Sequence, residues 1–148
     1  CSDTWASELG VLNKGKTVSI ASFKPVDKGS SGGVSIFGTA VAAAGAFLIA
    51  FLFSYSLLWR SDIMIIETFW VFTSLAFFGL VGSLIDSLIG ATIQAKFIDA
   101  KTQKITESPG AKNNPNKKIS GIRFITNGTV NFMSVAITAV IALIYFGL

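Results

Sequence analysis

A single aspartate interrupts the stretch TFWVFTSLAFFGLVGSLIDSLIGATI, residues 68 to 93. A carboxylate at the centre of a membrane helix costs roughly 2.5 to 3.5 kcal/mol on insertion scales, so Asp86 needs a polar partner. Gly79, Gly82, Ser83, Asp86, Gly90 and Gln94 recur at spacings of three or four, which puts them on one helix face. Small residues on a face let another backbone approach closely. Asp86 is therefore expected to point into protein or a polar cavity. Two chemistries fit that position, a ligand for a metal ion or proton and a structural hydrogen bond between helices.

Three further groups carry chemistry. SDTWASE supplies Asp3 and Glu8 together with Ser2, Thr4 and Ser7. On a helix Asp3, Ser7 and Gly10 share a side, and carboxylates with hydroxyls are hard oxygen ligands suited to Mg²⁺. Glu8 fits a solvated surface charge equally well. The segment KPVDKGSSGG then places Lys24 and Lys28 ahead of Gly32 and Gly33. Backbone N–H groups of a glycine-rich turn bind anionic phosphate, and lysines add charge; a flexible linker entering a membrane is the other reading. Asn127 and Asn131 lie four apart at the start of an apolar run, as helix-capping amides or as ligand contacts.

Several classes are excluded. The chain has no His and one Cys, so imidazole catalysis, internal disulfides and cysteine zinc clusters are ruled out. The pattern GxxxxGK[ST] does not occur, which removes Walker-type nucleotide chemistry.

The elements that must hold these groups are apolar. The 148 residues are 51% hydrophobic and 14% charged, with mean hydropathy +0.64, whereas soluble domains carry about 25% charged residues. Three stretches, 32–59, 68–95 and 128–148, are long enough for the roughly 20 residues a bilayer crossing needs. Trp59, Trp70 and Tyr145 stand near their ends, where aromatic rings favour the interface. The expected fold is an all-α polytopic membrane helix bundle with three transmembrane helices, forming one membrane domain.

Polar chain separates the spans. Residues 1–31 form a motif region, RSDIMIIE is a short connection, and residues 96–127 form a long loop expected to be turns and irregular chain around Pro109, Gly110, Pro115 and Gly121. The loop carries Lys96, Lys101, Lys104, Lys112, Lys117, Lys118 and Arg123 against Asp99 and Glu107. The short connection has Arg60 against Asp62 and Glu67, and the N-terminal region has Lys14, Lys16, Lys24 and Lys28 against Asp3, Glu8 and Asp27. Two crossings return the chain to its starting side, and the positive-inside rule then puts residues 1–31 and the basic loop in the cytoplasm, with the C-terminus opposite. The lysines read as that topological signal or as a contact with anionic lipid. They lack interleaved aromatics, so no nucleic-acid polymer is expected.

DTWASELG, KPVDKGSSGGVSIFG, GSLIDSLIGATIQ and ITNGTVNFMS occur in the order and spacing of an integral membrane family. Over nearly its whole length the chain resembles the transmembrane protein 19 family, which includes plant phytyl-phosphate kinase. Members carry further spans before the first motif, so the resemblance implies a C-terminal part whose upstream helices are missing. Two positions depart from the pattern: Gly128 stands where members often have a polar or acidic residue, and Cys1 where Gly or Ala is common. The family is distantly similar to CTP-dependent lipid kinases and CDP-diacylglycerol synthases. The resemblance implies Mg²⁺ on Asp3 and Asp86 with Glu8 in support. It also implies nucleotide phosphates held by Lys24, Lys28, Gly32 and Gly33, with Asn127 and Asn131 lining the same pocket. The function expected is a lipid-phosphate kinase that moves a phosphoryl group from a CTP-like nucleotide to an isoprenyl or phytyl monophosphate. The alternative is a non-enzymatic membrane transporter or structural protein, since an acidic residue on a small-residue face also suits an ion pathway.

Overall fold

The structure is a computed structural model, and it describes residues 1–10, 12, 15–59, 64–111 and 113–147. Arg60 and Asp62 of the short connection, and Lys14 and Lys112 of the charge pattern, lie outside the described residues. Four helices form: α1 (Ser2–Gly10), α2 (Ile36–Leu57), α3 (Ile65–Thr92) and α4 (Asn127–Phe146). The last three are each long and apolar enough to cross a membrane.

Capping groups set the ends of the spans and move them from the ranges 32–59, 68–95 and 128–148. The Gly38 N–H donates to Ser35 Oγ at 3.0 Å, which starts α2 at Ile36 and leaves Gly32 and Gly33 outside the helix. The Met64 N–H donates to Glu67 Oε2 at 3.1 Å, so α3 begins at Ile65, earlier than the apolar run from Thr68. The Thr129 N–H donates to Thr126 Oγ1 at 3.4 Å to open α4, and Gly147, at φ 70°, closes it in the left-handed conformation.

The bundle keeps small residues inside and large ones outside. On α2, Ala42, Ala46 and Ala50 are buried at a spacing of four, while Phe47 and Phe51 stay more than half exposed. That distribution suits lipid, which rewards close backbone packing rather than a greasy interior. Helix α1 lies against the first half of α2 in the opposite direction. The Ser2 hydroxyl donates to the Ala42 carbonyl at 2.7 Å, while Gly10 packs on Gly38. A Cβ on Gly45 would sit 3.1 Å from the Ser2 backbone, so glycine permits this approach. Helix α3 packs between α2 and α4, with Gly79 against Ala46 and Gly82 against Thr138.

The polar chain gathers at one end of the bundle. The strands β1 (Val18–Ser19) and β2 (Gly33–Val34) pair antiparallel just before α2. The segment between α3 and α4, expected to be irregular, instead holds a small sheet. Strand β3 (Lys96–Ile98) pairs antiparallel with both β4 (Ile105–Thr106) and β7 (Lys117–Ser120). A separate hairpin joins β5 (Gly110–Ala111) to β6 (Asn114–Pro115). The prolines and glycines sit in the hairpin β5–β6 and at Gly121, leaving short runs such as KFI free to pair. Phe97, only 5% exposed, anchors β3. Asp99 turns the first hairpin by accepting from the Lys101 and Thr102 N–H groups. The Lys96 ammonium donates to the Ser31 carbonyl at 3.2 Å, tying this sheet to the segment ahead of α2.

Candidate functional site

Helix α1 brings Asp3 to Asp86. Residue 86 lies on the inner face of α3 and is 8% exposed. The two carboxyl groups are close enough to share a hydrogen bond. Ser134 of α4 donates its hydroxyl to Asp86 Oδ1 at 3.0 Å and also lies 3.0 Å from the Asn131 carbonyl. Three helices thus converge on one carboxyl pair. Burial raises the Asp3 carboxyl above its usual range, and the hydrogen bond with Asp86 opposes that rise. Two carboxylates in contact repel unless a proton or a cation lies between them.

The pair opens on a cleft of about 350 Å³ at the polar end of the bundle. Asp3, Glu8, Asp86 and Glu107 line it, and no lysine or arginine does so among the described residues. The chain as a whole carries net charge +4, so this concentration of acid is local. Serines and glycines of residues 29–35 form the opposite wall. No group of three or more His, Cys, Asp or Glu side chains placed to hold a metal occurs among the described residues.

The expected site residues divide. Asp3, Glu8, Asp86, Gly32, Gly33 and Asn127 all line the cleft. Lys24 and Lys28 are exposed and do not line it. The β-turn that precedes Lys24 carries it outward: the Ser19 N–H donates to the Lys24 carbonyl, and Phe23 at φ 54° is 80% exposed. Asn131 is also absent from the lining; its Oδ1 is buried without a hydrogen-bond partner among the described residues. The Gly33 N–H donates to the Ser30 carbonyl at 2.8 Å, so it is committed to its own turn rather than open to a phosphate. Gly32, at φ 74°, is required by packing, because a Cβ there would overlap Ala91 on α3.

Other residues at the site were not singled out by their types. Ser31 donates to Gln94 Oε1 at 2.5 Å and lies 3.0 Å from the Gly90 carbonyl. Glu107 reaches the same place from the end of β4. Gln94 was visible as the last member of the small-residue face. Lys96 and Glu107 read only as charges of a basic loop.

Comparison with known proteins supports the family. Residues 1–139 match the integral membrane protein family DUF92. The chain belongs to that family. It is 43% identical over 143 residues to Protein PGR of Arabidopsis thaliana, covering 93% of this chain and 48% of that protein. Uncharacterized membrane protein MJ0933 of Methanocaldococcus jannaschii is 41% identical over 97 residues, covering 66% of this chain and 37% of that protein. Uncharacterized membrane protein sll0875 of Synechocystis is 34% identical over 97 residues, covering 65% and 34%. The chain thus spans about a third to a half of the curated relatives it matches. No solved structure matches it significantly.

Proposed function

We propose that this chain carries the phosphoryl-transfer site of a membrane lipid-phosphate kinase of the transmembrane protein 19 type. The observation that carries the proposal is that, among the described residues, every charged side chain lining the cleft around the Asp3–Asp86 pair is acidic. A buried carboxyl paired with a half-buried one, with no lysine or arginine lining their cleft among the described residues, suits a divalent ion, and Mg²⁺ is commonly held by one or two carboxylates plus phosphate oxygens. Asp3 and Asp86 would hold the ion, and Glu8 would add negative charge at the rim. Bound there, Mg²⁺ would neutralise nucleotide phosphate charge.

The reaction needs little else from the chain. An oxygen of the isoprenyl monophosphate attacks the γ-phosphorus of a nucleoside triphosphate, the bond to the β-phosphate oxygen breaks, and the nucleoside diphosphate leaves. The attacking oxygen is already ionised near neutral pH, so no side-chain base is required, which suits a chain without His. The cleft lies at the end of apolar helices, so a lipid tail would lie along the bundle while its phosphate meets the polar end. The positive-inside rule, applied to the basic loop at that end, supports a cytoplasmic location for it. The test is incubation of the full-length protein with isoprenyl monophosphate, CTP or another nucleoside triphosphate, and Mg²⁺. Isoprenyl diphosphate is the expected product. A protein that binds no nucleotide yet carries cation flux in proteoliposomes would be the transporter that an acid-lined cleft also suits.

The raised Asp3 carboxyl gives a pH signature. An acid whose folded pKa is raised favours its neutral form, so without a cation stability is greatest at low pH and falls as pH rises through that value. Mg²⁺ needs the charged form, so its affinity weakens as pH falls through the same value. The Mg²⁺-induced rise in unfolding temperature should therefore be larger above the raised Asp3 value than below it. The Asp3→Asn protein should lose that difference.

A further inference from the structure

The acidic cleft shares a wall with a second cleft of about 330 Å³. Gly29, Ser30, Ser31 and Glu107 line both, and Lys96 lines the second. At that wall the Glu107 carboxylate lies near the Gln94 amide, the Lys96 ammonium and the Ser31 hydroxyl, whose own proton goes to Gln94 Oε1 or the Gly90 carbonyl. These groups come from separate elements: Ser31 precedes β2, Gln94 follows α3, Lys96 opens β3 and Glu107 follows β4.

The fit is incomplete in one respect. Gln94 is 2% exposed, and its Nε2 is buried without a closed hydrogen bond among the described residues, although the amide lies near enough to stabilise the Glu107 carboxylate. A buried amide donor without a partner is rare and needs an explanation. A carboxylate has two oxygens to offer, whereas a phosphate group has three terminal oxygens and more charge. Burial also disfavours both ions at this wall, lowering the Lys96 ammonium and raising the Glu107 carboxyl. Glu107 sits on a short hairpin whose neighbours Ile105 and Ser108 are exposed, so it can leave without disturbing the spans.

We propose that Ser31, Gln94 and Lys96 form an anion site for a phosphate group, and that Glu107 is its internal occupant, displaced when a phosphate-bearing substrate binds. The proposal rests on the kinase reading only for the identity of the anion. It gives the charge role expected of Lys24 and Lys28 to Lys96, which the fold brings to Ser31 across 65 positions of sequence.

The experiment uses the full-length protein in lipid nanodiscs, in metal-free buffer so that the aspartate pair does not contribute. Inorganic pyrophosphate is the probe, titrated by calorimetry. The unsubstituted protein binds it, Lys96→Gln weakens binding by about tenfold or more, and Glu107→Gln strengthens it by about the same factor. Lys96→Arg keeps most of the affinity and shows that the site still forms. Competition by CTP or by a soluble short-chain isoprenyl monophosphate identifies whether the site takes nucleotide or lipid phosphate. Equal pyrophosphate affinity in the unsubstituted, Lys96→Gln and Glu107→Gln proteins overturns the proposal, as does displacement by neither competitor. The expected binding pattern without kinase turnover would sink the kinase reading and leave the anion site standing. Turnover with unaltered binding in both variants would do the reverse.

Discussion

Asp86→Asn should leave the protein folded in the membrane and reduce phosphoryl transfer by roughly 100-fold or more. Asparagine has nearly the same shape, and its carbonyl oxygen still accepts the hydrogen bond that Ser134 donates at 3.0 Å. What is lost is the charge. Ser134→Ala makes the opposite change, removing the hydrogen bond and keeping the carboxylate. A cation ligand therefore predicts a large effect of Asp86→Asn and an effect of only a few-fold from Ser134→Ala. A purely structural bond between α3 and α4 predicts that Ser134→Ala destabilises at least as much as Asp86→Asn, with turnover following stability in both. Asp3→Asn should match Asp86→Asn, and the double variant should add little, because groups that act as a unit are not additive. Transfer rate and thermal stability, measured side by side, separate the two outcomes.

Gly32→Ala should cost on the order of 3 kcal/mol and distort the cleft even though alanine adds a single methyl group. Two effects combine. The residue has φ 74°, which a side chain disfavours, and the new Cβ would overlap the side chain and backbone of Ala91. The backbone around Ser31 would have to move away from α3, breaking its contacts with Gln94 and the Gly90 carbonyl. Ala91→Gly in the same protein should recover only part of the loss, because the Ala91 backbone still obstructs. Gly33→Ala is the comparison. Its Cβ would meet the Ser30 carbonyl at 2.9 Å without a left-handed backbone, so its cost should be smaller. Unfolding temperatures of the three variants in detergent test the order. If Gly32 served only to offer its N–H to a phosphate, Gly32→Ala would bind nucleotide less well without losing stability.

The membrane architecture was legible because hydropathy and length decide it. Three apolar runs of bilayer length, interrupted by a single charge at Asp86, admit few folds other than spanning helices. The inward direction of Asp86 was legible for a related reason: small residues at helical spacing mark the packed face, and Gly79 and Gly82 meet Ala46 and Thr138 there. Span boundaries were less legible, since Ser35, Glu67 and Thr126 fix them through single capping contacts that hydropathy does not register. The small sheet was hidden by the prolines and glycines around it. Its strands are two to four residues long, too short to give an alternation that can be counted.

The site was legible in part. Asp86 stood out because a carboxylate is costly in an apolar span, Asp3 because it sits among hydroxyl side chains that suit a hard cation, and the fold brings the two together across 83 positions. Lys24 and Lys28 misled because proximity in sequence to the glycine-rich turn stood in for proximity in space. A projecting hairpin turns Lys24 away, while Lys96 arrives from beyond α3 to bond the Ser31 carbonyl. Glu107 could not be distinguished from any other loop charge, because what singles it out is its placement beside Gln94 and Ser31, a property of the tertiary fold.

The most direct measurement of the central claim is electron paramagnetic resonance of Mn²⁺, a spectroscopic substitute for Mg²⁺, with the full-length protein. If Asp3 and Asp86 together hold a divalent cation, the unsubstituted protein should bind one Mn²⁺ in competition with Mg²⁺. The Asp3→Asn and Asp86→Asn proteins should each lose that signal while remaining folded. Equal Mn²⁺ binding by the unsubstituted protein and the Asp3→Asn/Asp86→Asn double variant would contradict the account.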